Sequence, residues 1–133
     1  MLIIDSKKPV LVDLYYKMSP NGIRVETSSS IKDMTEEEQK TYGKLSLTLR
    51  PMAWKMYNTL QKESLVDSGS GQADTINWVL YKEKKLHAII SGWDLKDENG
   101  KAVAVTPETI GSLHPIIPEM ILREYDAKTM SGE

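Results

Sequence analysis

Residues 74–105 read DTINWVLYKEKKLHAIISGWDLKDENGKAVAV, and the fold turns on where this stretch changes its period. Asp74 suits a helix N-cap, and Ile76, Val79, Leu80, Glu83, Leu86, His87 and Ile90 then recur at the three- and four-residue steps of one helix face. That spacing predicts a mostly apolar helix ending at Ser91-Gly92, where a glycine can take the left-handed conformation that closes helices. From Trp93 the period falls to two, with Trp93 and Leu95 before a turn and Val103 and Val105 after it. A two-residue Asn99-Gly100 loop would oppose Leu95 to Ala104 and turn the valines away from the apolar side. A three-residue loop, Glu98-Asn99-Gly100, pairs Leu95 with Val103, Trp93 with Val105 and Asp97 with Lys101. The longer loop is expected, because its last position needs a left-handed residue and Gly100 supplies one.

Upstream, the chain divides by period. Val10, Val12, Leu14, Tyr16 and Met18 alternate with Leu11, Asp13, Tyr15 and Lys17, the pattern of a strand with one apolar face. Ser19-Pro20-Asn21-Gly22 supplies turn residues, and a four-residue loop sets Met18 against Ile23 and Tyr16 against Val25. Leu45, Leu47 and Leu49 repeat the alternation and predict a third, antiparallel strand. Between these runs, Thr35-Glu36-Glu37-Glu38 has capping-box spacing and predicts a short helix to about Tyr42. Its carboxylates suit the amides and dipole of a first helical turn better than a metal ion. After Arg50-Pro51, a helical face of Ala53, Met56, Tyr57 and Leu60 runs through Lys62, with Trp54 beside it. The Ser/Gly-rich stretch 65–72 breaks that period and is expected to be a mobile connector. It is no phosphate loop, since the lysine-serine ending is missing and no strand leads in.

Downstream, Thr106-Pro107-Glu108 orders an N-cap, a first-turn proline and an acid as a helix start prefers. Gly111 and His114-Pro115 should cut that helix short. A last amphipathic helix, 116–128, carries Ile117, Met120, Ile121 and Tyr125 as one stripe, with Pro118 tolerated in its first turn. Two roles are open to the stripe: core of the domain, or a partner-binding surface to which methionine and tyrosine bring adaptable contact. Residues 130–133 are expected to fray. The whole predicts one α+β domain over residues 1–133, with 1–50 mainly strand and 51–129 mainly helical. An amino-terminal antiparallel sheet of about three strands packs with three to five helices, and a small hairpin follows the central helix.

Composition narrows function further. The 133 residues suit a single domain that buries about two-thirds of its unfolded surface without crosslinks. Lys and Arg number 17 against 19 Asp and Glu, a net charge of -2 that offers no field for nucleic acid or an anionic membrane. The chain has no cysteine, hence no disulfide framework and no thiolate metal site. No apolar run approaches the roughly 20 residues of a membrane helix, and Asp5, Lys7 and Lys8 stand where a signal peptide would be apolar.

Catalytic constellations fail on spacing. Neither His87 nor His114 has a carboxylate at a metal-ligand step, and Ser68 and Ser70 have no histidine near them in sequence. Asp94, Asp97 and Asn99 resemble a calcium loop, but with Gly100 as its sixth position the first ligand position falls on Leu95. No catalytic residue, cofactor site or metal site is therefore expected. Trp54, Trp78 and Trp93 could form an interaction surface, but tryptophans at helix and hairpin positions are more often core, and the core is expected.

One resemblance adds to this. Trp93-Asp94-Leu95, Asp97-Glu98-Asn99-Gly100-Lys101 and Thr106-Pro107-Glu108, following a helix of this kind, resemble a recurring pattern in small tailed-bacteriophage proteins of the tail assembly chaperone type. The resemblance covers roughly residues 77–125, with a looser echo in 45–60, and rests on a structural turn. It implies a non-enzymatic role in virion morphogenesis: binding unassembled phage tail proteins in the bacterial host cytoplasm, without cofactor, and with self-association left open. The alternative is a structural virion component, such as a head-tail connector or minor tail protein.

Overall fold

Alternation puts Val12 and Leu14 on one face of β1 (Val10–Ser19), and that face meets the same alternation in β3 (Gly43–Leu49). The antiparallel register opposes Val10 to Leu49, Val12 to Leu47 and Leu14 to Leu45. Five of these six side chains are buried and Val10 packs against them, so each contributes roughly 1.5–3 kcal/mol by leaving water. The computed structural model describes residues 2–66, 69 and 74–130.

The first hairpin joins β1 to β2 (Gly22–Thr27) in the expected register, Met18 opposite Ile23 and Tyr16 opposite Val25. Ser19 pairs with Gly22 as well, so the loop tightens to Pro20-Asn21, and Gly22 takes φ 137°. Tyr16 also lies opposite Gly43, where a Cβ would run into its ring; glycine lets the aromatic cover the strand. Two short helices follow the hairpin. The first, α1 (Ser28–Ile31), is a helical turn that the polar Ser28-Ser29-Ser30 run did not lead one to expect, and Thr27 and Ser30 cap it by exchanging side-chain and backbone hydrogen bonds as a capping box. The second, α2 (Glu36–Gln39), has the expected Thr35 cap, whose hydroxyl accepts the Glu38 N–H at 3.2 Å.

Helix α3 (Trp54–Glu63) starts later than Arg50-Pro51 implied. It buries Leu60 and half-buries Tyr57, whereas Ala53 and Met56 face outward. Part of the expected connector is ordered instead as β4 (Leu65–Val66), antiparallel to β5 (Thr75–Ile76). Most of the remaining Ser/Gly stretch lies outside the described residues. This small hairpin corrects the start of the central helix. Asp74 precedes β5 and Ile76 lies in it, and α4 (Trp78–Ile89) is capped by Asn77, whose side-chain oxygen accepts the Leu80 N–H at 3.1 Å.

The end of α4 is corrected as well. Ile90, expected on the helical face, begins β6 (Ile90–Trp93), a fourth strand paired antiparallel to β3 through Leu47–Trp93, Thr48–Gly92 and Leu49–Ile90. Arg50 secures the switch. Its N–H donates to the Ile89 carbonyl, and its guanidinium reaches the Ala88 and Ile90 carbonyls at 3.2 and 3.3 Å, satisfying acceptors that a helix end leaves open. The sheet order is therefore β2-β1-β3-β6.

Beyond Trp93 the predicted register holds near the turn, for Leu95 with Val103 and Asp97 with Lys101, as a single bridge, Lys96 to Ala102, rather than a ladder; Trp93, expected opposite Val105, pairs instead with Leu47 of β3. Val103 N–H donates to Leu95 O, Asp97 N–H to Lys101 O, and Gly100 has φ 77°. Capped by Thr106 with Pro107 in its first turn, α5 (Pro107–Gly111) leads into α6 (Ile116–Met130), which crosses β1 and β2 on their apolar face. On the opposite face, Ile31 of α1 lies by Tyr15 and Lys44. The α+β architecture is as expected; among the described residues the main sheet has one strand more than expected, β4 and β5 add a small separate pair, and the helices number six rather than three to five, three of them substantial.

Candidate functional site

Helices α4 and α6 meet beside the core and enclose a groove of about 560 Å³. On α4, Tyr81, Lys85 and Ile89 follow one another at four-residue steps and point inward, while Trp78 and Lys82 stand outward. The sequence-derived face was rotated from this one: Val79 and Glu83 are exposed. Lys85 caused the error, since a lysine stem packs like an aliphatic side chain when its ammonium finds partners.

Those partners come from three helices. Lys85 is only 6% exposed; its Nζ lies 2.7 Å from Asp126 Oδ1 and 5.3, 6.0 and 5.5 Å from the ring centroids of Tyr57, Tyr81 and Tyr125. Desolvating an ammonium is costly, and a charge-assisted hydrogen bond with three aromatic faces offsets that cost. Burial pushes the phenols of Tyr57, Tyr81 and Tyr125 up from the ordinary tyrosine range. Tyr125 donates its hydroxyl to the Arg50 carbonyl at 2.8 Å, tying α6 to the chain between β3 and α3. A second ion pair, Lys82 to Glu119 at 3.2 Å, joins the helices nearer their amino ends. The two bridges fall in the same order along both helices, so α4 and α6 run in the same sense.

The mouth of the groove is aromatic and aliphatic. Trp78 is 57% exposed, meets Tyr81 edge-to-face at 5.4 Å between ring centroids, and shares the groove lining with Ile116 and Met120. A binding surface needs this combination: apolar area that the fold leaves wet, with charges held in fixed positions beside it.

Of the stripe predicted on α6, Ile117, Ile121 and Tyr125 are buried in the core, and Met120 alone stands on the groove wall. The tryptophans also depart from expectation. Trp54 is 80% exposed and Trp78 more than half, whereas Trp93 packs against the core with its indole N–H donating to Val103 O at 2.7 Å. Sequence reasoning missed Lys85, Arg123 and Asp126 as neighbours, because the Lys85–Asp126 contact spans 41 positions. The available signal was the Tyr81-Lys85-Ile89 step.

Asp94 and Asp97 of the Trp93–Val105 segment are occupied by backbone. Asp94 accepts the Ser46 N–H at 2.8 Å, and Asp97 accepts those of Asn99 and Lys101 at 2.8 and 3.0 Å. Among the described residues, no group of three or more His, Asp or Glu side chains is placed to hold a metal ion. Among them, too, no helix is long and apolar enough to cross a membrane. Comparison of the chain with family models, curated proteins and solved structures found no match.

Proposed function

We propose that this chain is a phage or prophage morphogenesis protein, a non-enzymatic tail assembly chaperone that binds unassembled tail components in the bacterial host cytoplasm. The sequence pattern around Trp93-Asp94-Leu95 and Asp97-Glu98-Asn99-Gly100-Lys101 supplies the class of partner. The observation that carries the binding role is the α4–α6 groove, which an exposed Trp78 lines together with Met120 and two ion pairs. An exposed indole on a folded domain is an energetic anchor for a partner, because covering it removes a large apolar area from water.

Co-expression with each tail protein of the same phage genome, followed by size-exclusion chromatography, tests this. The expected result is a soluble complex with a tail component that the Trp78→Ser variant fails to form while staying folded. Absence of any such complex, together with recovery of the chain in purified virions by mass spectrometry, would replace the chaperone with a structural virion component.

A further inference from the structure

The charges that line the groove do not cancel. Lys82, Lys85 and Arg123 face it with Glu119 and Asp126, and both carboxylates are engaged, Glu119 by Lys82 and Asp126 by Lys85. Among the described residues Arg123 has no carboxylate partner. Its guanidinium touches the Met120 sulfur at 3.8 Å, a weak acceptor that leaves most of its donor fork unused. An occupant must therefore bring apolar side chains for Trp78, Ile116 and Met120 and a carboxylate for Arg123.

We infer that the groove receives an acidic amphipathic helix of a protein partner, its apolar stripe against Trp78 and Met120 and a carboxylate on Arg123. Two helices running in the same sense leave a furrow between them, and a third helix laid along it buries one stripe while its other faces stay in water. Arg123 sets the sign of the partner's charge, since a planar guanidinium matches a carboxylate with two parallel hydrogen bonds. The assignment rests on the chaperone proposal in taking the groove as the client site; its chemistry rests on the groove alone.

Two amidated 15-residue peptides test the inference. Both carry leucine at alternating three- and four-residue steps, with glutamate at the remaining positions of one and lysine at those of the other. Titrated into the ¹⁵N-labelled protein, the glutamate peptide is expected to shift the Trp78 indole N–H saturably. Its affinity should exceed that of the lysine peptide at least tenfold, fall at least tenfold in Arg123→Glu, and weaken as NaCl is raised. Arg123→Ala, which adds no repulsive charge, should lose a smaller factor in the same direction. Equal binding of the two peptides, unchanged affinity in both Arg123 variants, or shifts confined to Trp54 would overturn the inference. Failure of the peptides while the co-expressed tail component is still captured through Trp78 would remove the acidic helix and leave the chaperone proposal standing; loss of that capture removes the chaperone instead.

Discussion

The two flanks of α6 carry similar side chains and meet different surroundings. Ile117, Ile121 and Tyr125 close against the strands, where Val12, Leu14 and Leu47 complete an apolar interior. One or two positions away, Ile116 and Met120, half-buried at the edge of the core, and the exposed Arg123 border the groove beside Trp78 and Lys82. An apolar period cannot distinguish these flanks, because it records which residues share a side of the helix and not what lies opposite. The element opposite decides: a leucine-lined sheet on one flank, and on the other a helix presenting an indole and two lysines.

The inner flank should give the largest effects. Tyr125→Ser removes a fully buried ring and its hydrogen bond to Arg50, and should destabilise the domain by about 4 kcal/mol in urea unfolding. A loss below about 1 kcal/mol would move Tyr125 out of the core. The same flank makes stability sensitive to alkali. The phenols of Tyr57, Tyr81 and Tyr125 are raised above the unfolded value of about 10, so above that pH the unfolded chain releases protons that the folded one retains. Their contribution is fully present below pH 10 and is lost as pH rises through the folded values. The midpoint of thermal unfolding should fall above pH 10, with tyrosinate absorbance at 295 nm growing as the fold opens; a flat midpoint to pH 12 would count against burial of the three phenols.

Between the flanks stands the Lys85–Asp126 pair. Asp126→Ala leaves the Lys85 ammonium among three rings without its carboxylate, and about 2 kcal/mol should be lost, moderated because Asp126 itself is half exposed. No change in stability would mean that the rings and solvent alone hold the charge. On the outer flank the effect on the free protein should be smallest. Trp78→Ser gives up an exposed edge-to-face contact and should cost under about 1 kcal/mol, while partner binding is lost.

What the sequence disclosed followed the same division. Where a signal was local, it held: alternation in β1 and β3, the Thr35 and Thr106 caps, and the Gly100 turn with Leu95 opposite Val103. Errors arose where two local signals competed and a distant contact chose between them. Asp74 and Asn77 are both good N-caps, and pairing of Thr75-Ile76 with Leu65-Val66 selected Asn77. Ile90 fits the apolar face of the helix, but β3 offered it a strand position. Of the candidate site, Met120 was legible as an apolar position on α6. Trp78 was assigned inward because nothing near it in sequence shows that the sheet is already covered, and Lys85 was hidden because Asp126 lies three elements away.

The contrast between the flanks is tested most directly at two consecutive residues. Urea-unfolding free energies of Met120→Ser and Ile121→Ser, measured side by side, should differ by about 3 kcal/mol: Ile121→Ser loses about 4 kcal/mol from a fully buried position, and Met120→Ser about 1 kcal/mol or less from the groove wall. Equal losses would place both residues in one environment and contradict the division of α6 into a core flank and an open one.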